Sequence, residues 1–368
     1  MSDEVGSKAV EGPVLIVGTG LIGTSIALAL RRAGVEVVLE DASASALQEA
    51  VYQGAGTVFA DQQPTLVVVA VPPDAAPGEM ANACARFPDA TVTDTTSVKG
   101  GILDAAITAG ADPHRLVGGH PMAGRESSGP SAARGDLLDD RLWVLTPIGR
   151  EGQEHLARVR RLVDTCGASV MEMNPAEHDA AVAVVSHAPQ VVASALASVL
   201  VDEPAERMQI AGQGLADTTR IAGSDPDLWT QILTANAGPV AVVLDSILEQ
   251  LVKARGSLTL HGSDSSAPQD ASQITELLDQ GRQGRSRLPG KHGTAAIRFS
   301  VVPVMVADKP GELARLFVAA GDLEVNLEDV RIEHVLGRPS GLVDLFVRPD
   351  VEQVLIEGLT AAGFDVRA

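Results

Sequence analysis

The segment of this chain best suited to moving a proton is Gly118-Gly119-His120-Pro121-Met122-Ala123-Gly124. Imidazole changes charge near neutrality, so His120, behind a strand end and ahead of a glycine-rich loop, is placed to exchange a proton with a ligand in the adjoining crevice. A histidine there can equally be structural. A second segment, Gly18-Thr19-Gly20-Leu21-Ile22-Gly23, follows the apolar run Pro13–Val17 and opens a helical stretch, Leu21–Ala33. Glu40 and Asp41 close the next apolar run, about 20 residues on, which is the spacing of a dinucleotide-binding turn. In that context Gly18 makes the turn, Gly20 admits a pyrophosphate and Gly23 lets helix and strand pack closely. The first N–H groups of the helix, around Leu21 and Ile22, favour phosphate charge. Asp41 would bond a ribose 2′-hydroxyl and repel a 2′-phosphate, so NAD is expected over NADP.

Other segments have chemical and structural readings side by side. Val71, at the end of Val67–Val71, either borders the nicotinamide or merely ends a strand. In Thr93-Asp94-Thr95-Thr96-Ser97-Val98-Lys99, the hydroxyl residues suit a helix cap. Asp217 and Arg220 are three apart and share a helix face. At a surface such a pair contributes little, whereas at a crevice Asp217 would hold the Arg220 guanidinium for bidentate contact with a substrate carboxylate.

These side chains need a scaffold, and the apolar pattern supplies one. Val14–Val17, Val35–Leu39, Leu66–Val71, Thr91–Thr93, Leu116–Val117 and Trp143–Leu145 read as strands spaced by helices, hence a parallel sheet covered on both faces. From Pro175 to Arg255 the pattern is helical: Ala176–Val201, apolar nearly all round with Pro189 inside it, and a long amphipathic helix, Leu228–Ala254. Ser224 or Asp225 can cap the latter, with Pro226 in its first turn. Gly256–Ala271 reads as a mobile loop. After Ile297 come strand, helix, two strands and helix, a small α+β unit. The expected class is α/β with three domains: a Rossmann-type nucleotide-binding domain (1–172), an all-α dimerisation domain (173–293) and a small α+β domain (294–368). The apolar helices offer more surface than one sheet edge covers, so a homodimer is expected.

The 368 residues carry 28 Lys plus Arg against 48 Asp plus Glu, a formal charge of −20. So acidic a chain has no broad basic face for nucleic acid or an anionic membrane. Nine aromatics, six Phe, two Trp and one Tyr, are too few for a base-stacking platform. Cys84 and Cys166 form no metal-ligand cluster, and no secretion signal or run of eighteen apolar residues is present, so a cytoplasmic protein is expected.

Five segments together resemble the prephenate dehydrogenases of tyrosine biosynthesis, from about Pro13 to Gly293. They are Gly18-x-Gly20-Leu-Ile-Gly23-x-Ser25, Asp94-x-x-Ser97-Val-Lys99, Gly119-His120-Pro121-Met-x-Gly124-x-Glu126, Ser186-His187-x-Pro189 and Asp217-x-Thr219-Arg220-x-Ala-x-Ser-Asp225-Pro-x-x-Trp229. The resemblance implies that His120 is the catalytic histidine and that Ser97 neighbours both it and the nicotinamide. Arg220 would grip a substrate carboxylate, with His187, Glu126 and Asp217 lining or ordering the pocket. Arg125 departs from some relatives, where a small or neutral residue is expected. The implied activity is NAD-dependent oxidative decarboxylation of prephenate to 4-hydroxyphenylpyruvate, without a metal. Arogenate as substrate, and a non-catalytic sensor of nucleotide and amino acid, are the alternatives. Val306-Ala-Asp308-Lys-Pro310-Gly311-Glu-Leu313 is similar to the signature of an ACT domain, which implies tyrosine as an effector. Activity is expected to rise with pH through the titration of His120, because only the neutral imidazole accepts a proton.

Overall fold

Strands covered on both faces read as short apolar runs with no polar alternation, and runs of this kind form the centre of this protein. The computed structural model describes residues 10–124, 129–263, 272–288, 299–334 and 340–367. Glu126 and Arg125 lie outside the described residues. The chain divides into two compact units, Met1–Ile247 and Leu248–Ala368.

The first unit begins β1 (Val14–Val17), α1 (Leu21–Arg32), β2 (Val37–Glu40), α2 (Ala44–Tyr52), β3 (Thr57–Val58), β4 (Leu66–Val69) and α3 (Ala76–Arg86). It continues with β5 (Thr91–Asp94), α4 (Gly100–Thr108), β6 (Leu116–Pro121), β7 (Leu142–Thr146), α5 (Gln153–Thr165) and β8 (Ser169–Glu172). The strands form one sheet in the order β3-β2-β1-β4-β5-β6-β7-β8. Successive strands are added outward from β1 on one side and, from β4 on, on the other, so the carboxyl ends of these two parallel neighbours are the expected ligand crevice. β1, β4 and β5 are fully buried. Ile26, Leu30, Leu156 and Leu162 pack on one face of the sheet, and Met80, Leu103 and Ile102 on the other.

The sheet is not wholly parallel as expected: β7 runs antiparallel to β6, pairing Val144 with His120. The β6–β7 connection holds a 3-10 turn, Pro130–Ala132, and no described crossover helix, which a parallel pair requires. β3 and β8 went unseen in the sequence because both are largely exposed and lack an apolar run.

The helices of this unit depart from the sequence pattern twice. Ala176–Val201 is not one helix buried all round but α6 (Pro175–Val182), a π turn (Ala183–His187) and α7 (Ala188–Ser198). Pro189 has no N–H and its ring excludes the carbonyl four residues earlier, so the α ladder cannot run through this point. One side, including His178, His187 and Gln190, is buried, while Val184, Val185, Val199 and Val201 stay exposed on the single chain. By length and composition Pro175–Ser198 would pass for a membrane span. Its buried polar residues instead bond other parts of this unit.

After α8 (Ala205–Met208), α9 (Gln213–Thr219) and a 3-10 turn (Arg220–Gly223), the expected Leu228–Ala254 helix is two: α10 (Pro226–Ala235) and α11 (Ala237–Ser263). Asp225 caps α10 as anticipated, accepting from the N–H groups of Asp227 and Leu228. The break falls at Asn236 (φ −112°, ψ 26°), just before Gly238-Pro239, where proline suits a new first turn and disfavours a helix already under way. α11 also continues through the first half of the expected Gly256–Ala271 loop, since a glycine costs a helix only about 1 kcal/mol. Residues 264–271 lie outside the described residues.

The second unit contains α12 (Ser272–Ser286) and then β9 (Ser300–Ala307), α13 (Glu312–Asp322), β10 (Asp329–His334), β11 (Ser340–Val347), α14 (Glu352–Ala361) and β12 (Asp365–Val366). Its sheet is antiparallel between neighbours, in the order β10-β11-β9-β12. This is a β-α-β-β-α-β ferredoxin-like arrangement, one strand more than the sequence pattern suggested.

Candidate active site

The crevice end of β1 is built by close backbone approach. Gly18 has φ of 96°, and a Cβ there would stand 2.4 Å from the Ala70 carbonyl oxygen and 2.9 Å from Val71 Cγ1. A Cβ on Gly23 would lie 1.9 Å from the Gly18 carbonyl oxygen. Gly20 differs, with no atom within 4 Å of its would-be Cβ. It is the N-cap of α1, makes no side-chain cap, and no acid occupies the first turn. The leading N–H groups of α1, from Leu21 and Ile22 onward, are thus left for an anion in a cradle that a side chain would fill. These residues fit the pyrophosphate of a dinucleotide, and Val71, two residues past the end of β4, packs beside Gly18 of the loop.

Asp41 does more than the sequence assigned to it. Its Oδ2 accepts from Thr19 N–H (2.5 Å) and Thr19 Oγ1 (2.8 Å), and its Oδ1 accepts from Ser43 N–H (2.7 Å). The carboxylate therefore pins the glycine loop and keeps one Oδ1 lone pair for a ribose hydroxyl. Glu40 is committed elsewhere, paired with Arg86 at 3.0 and 2.9 Å. Arg86 in turn lies over the rings of Phe59 and Phe87.

His120 sits within β6 rather than behind its end, partly buried. Its Nδ1 is 2.9 Å from His178 Nε2, and His178 Nδ1 is 2.9 Å from Asp179 Oδ1. Asp179 also accepts from the backbone N–H groups of Lys99 and Gly100, both at 2.8 Å, and so caps α4. Burial opposes its ionisation, but the bonds from His178, Lys99 and Gly100 hold the Asp179 carboxyl below its ordinary range. Beneath His120, the wholly buried Lys99 ammonium bonds the Asp94 carboxylate and the Gly119 carbonyl, the latter at 2.7 Å. Asp94 also accepts from Gly119 N–H at 3.1 Å and from Thr96. Burial, then the Lys99 cation and the neighbouring His178 and His187, push the His120 imidazole well below its usual value. The His120 imidazole is therefore neutral at pH 7, and its titration falls lower than the sequence alone implied.

His187 is buried beside this group, edge-on to Trp229 at 6.1 Å between ring centres. Asn236 Nδ2 donates to both the Asp179 carbonyl and His187 Nδ1, each at 2.9 Å. With Nδ1 accepting and burial pulling its pKa to about 4, His187 is neutral and carries its proton on Nε2. That N–H is buried and has no hydrogen-bond partner among the described residues, so it can donate to a ligand oxygen. Gln190, one helical turn on, donates from Nε2 to the Ile221 carbonyl at 2.9 Å and ties α7 to the turn that begins at Arg220.

Ser97 lies on the β5–α4 turn, next to the strand that carries His120. Asp217 and Arg220 are exposed on the single chain, and Asp217 accepts from Gln213 Nε2 at 2.8 Å. His178, Asp179 and Asn236 were missed in the sequence, and Asp94 and Lys99 were quoted there without roles. The Gly238-Pro239 pair does mark the break that presents Asn236. Nothing local marks His178, because its partner comes from a strand 58 residues away.

Comparison with known proteins agrees with this geometry. Residues 26–172 match the family described as prephenate dehydrogenase, nucleotide-binding domain, and residues 174–279 match prephenate dehydrogenase, dimerization domain. The chain is 35% identical over 350 residues to a probable prephenate dehydrogenase of Streptomyces niveus, covering 93% of this chain and 96% of the relative. Among solved structures, prephenate dehydrogenase from Aquifex aeolicus in complex with hydroxyphenyl propionate and NAD+ is similar at TM-score 0.65 and 30% identity, over 74% of this chain and 96% of that one. Synechocystis arogenate dehydrogenase is similar at TM-score 0.61 and 27% identity, over 74% and 98%.

Proposed function

This chain belongs to the prephenate dehydrogenase family, and from that premise we propose how its own residues carry the reaction. It is an NAD-dependent oxidoreductase that oxidatively decarboxylates prephenate. Bound at the Gly18–Gly23 loop, NAD supplies the hydride acceptor. His120 accepts the proton of the ring carbinol as the hydride leaves that carbon. The resulting dienone is a vinylogous β-keto acid, so its ring C–CO₂ bond breaks, the electron pair enters the ring as a phenolate, and that oxygen takes back the proton held by His120 to give 4-hydroxyphenylpyruvate. Aromatisation drives the step, so orientation is the main demand on the protein. Arg220 takes a substrate carboxylate, with Asp217 ordering it, the His187 N–H donates to a substrate oxygen, and Ser97 sits between base and nicotinamide.

The observation that carries this reading is the partly buried His120 on β6, bonded through Nδ1 to His178 and from there to Asp179. The experiment is NADH formation by purified protein with prephenate and with arogenate, each with NAD and NADP. Turnover of prephenate with NAD is expected, and no turnover of either substrate would refute it. The exposed Val184, Val185, Val199 and Val201 in the dimerisation region support a homodimer, and the enzyme is proposed to work in the cytoplasm. The ferredoxin-like unit, with Gly311 at φ 91° opening α13, supports an ACT-like module that binds tyrosine and inhibits. Removing residues after 294 should then abolish tyrosine inhibition and spare turnover. The proposed functional boundaries remain 1–172, 173–293 and 294–368.

A further inference from the structure

We propose that His178 and Asp179 are positioning residues that set the tautomer of the base, so that His120 meets substrate with a bare Nε2. The inference rests on the reading of His120 as the base. A carboxylate can only accept, so the 2.9 Å contact between His178 Nδ1 and Asp179 Oδ1 places a proton on His178 Nδ1. A neutral His178 then has its lone pair on Nε2, and the 2.9 Å contact to His120 Nδ1 makes His120 the donor. The proton of neutral His120 is thereby held on Nδ1 inside the protein, and the lone pair is on Nε2. A second imidazole thus stands where a carboxylate usually orients a catalytic histidine, with the carboxylate one place further back.

The carboxylate is itself rigidly held. Asp179 Oδ1 takes the Lys99 N–H as well as His178, and Oδ2 takes the Gly100 N–H. The group that orients the base therefore also caps the helix following Ser97, and base and cofactor-side turn share one anchor. When His120 takes the substrate proton, the new charge lies at the end of a hydrogen-bonded line that finishes on an anion, with no groups needing to reorganise.

The test uses the full-length protein with ¹⁵N-labelled histidine, eight residues in all, with the His120 signals assigned by their loss in His120→Asn. At neutral pH, His120 Nε2 should give a pyridine-type shift and Nδ1 a pyrrole-type shift, and in His178→Leu the two should move toward each other. A pyrrole-type Nε2 in the wild type, as a protonated His178 would impose, overturns the proposal, as does an unchanged tautomer in His178→Leu. In turnover, His178→Leu should lose about 10–10²-fold in kcat, less than full loss of a general base, with KM for NAD changed less than about threefold. His178→Gln should recover much of it, since its amide can accept from His120 and donate to Asp179. Equal losses in the Leu and Gln variants would reduce His178 to packing and overturn the positioning role. The NMR reading does not need turnover, so it separates this proposal from the base assignment, which fails instead if His120→Asn keeps full activity.

Discussion

Replacing Lys99 with Met probes the least visible part of the site. Lys99 and Asp94 have no exposed side-chain surface, and the ammonium bonds the carboxylate directly. Methionine keeps most of the aliphatic stem, so the change chiefly removes charge. Asp94 would stay buried with the Gly119 and Thr96 donors but without its cation, and breaking a buried pair in this way costs about 3–5 kcal/mol. For a unit of this size, at about 2–4 °C per kcal/mol, the melting temperature should fall by about 6–20 °C. A second effect concerns His120. The Lys99 cation is one cause of its lowered pKa, so losing that cation raises it back toward the ordinary histidine value. Activity needs the neutral imidazole and fades as pH falls through this pKa, so the acid limb of kcat/KM should move to higher pH in Lys99→Met. Differential scanning fluorimetry and a pH–rate profile measure the two effects. A melting temperature within about 2 °C of wild type, with an unmoved acid limb, would refute the argument that this buried pair supports both the strand and the base.

His120→Asn should lower kcat by about 10²–10⁴-fold while leaving prephenate KM nearly unchanged; steady-state NADH kinetics decide it. Wild-type kcat/KM should already be level at pH 7, the acid limb lying well below His120's ordinary value; a limb centred near neutrality would contradict the burial argument. Arg220→Ala should raise KM for prephenate strongly and leave KM for NAD alone, and equal rises in both would point to folding instead. Asp41→Ser should relax discrimination against NADP but also weaken NAD binding, because Thr19 loses its acceptor; titration with both cofactors would expose a variant that gains NADP at no cost to NAD.

Much of this was legible in the sequence, and the division has a physical cause. The Gly18–Gly23 loop and the buried strands could be read because local sterics and full burial leave few alternatives. β7's direction and the edge strands could not, since pairing direction depends on a connection and exposed strands need no apolar run. His120 could be found because it sits in a glycine-rich strand end, whereas His178 acquires meaning only from a partner distant in the chain. Asn236 lay between these cases: the proline two residues past Ala237 signals a break, but only the fold shows that the amide holds His187 and Asp179 together.

The π turn sets the angular phase of everything after it. In an unbroken α-helix the nine residues from His178 to His187 would advance about 900°, leaving the two imidazoles on opposite sides. One extra residue in the turn takes out about 100° of that rotation, so they lie about 80° apart and both can face inward. Val184 and Val185, within the turn, are exposed. Exchanging either for another residue touches nothing in the site, yet deleting one would return the helix to regular winding and swing His187 and Gln190 away from Asn236 and Ile221. At Val184 and Val185 the inward-facing group thus depends on the number of residues rather than on which side chains stand there.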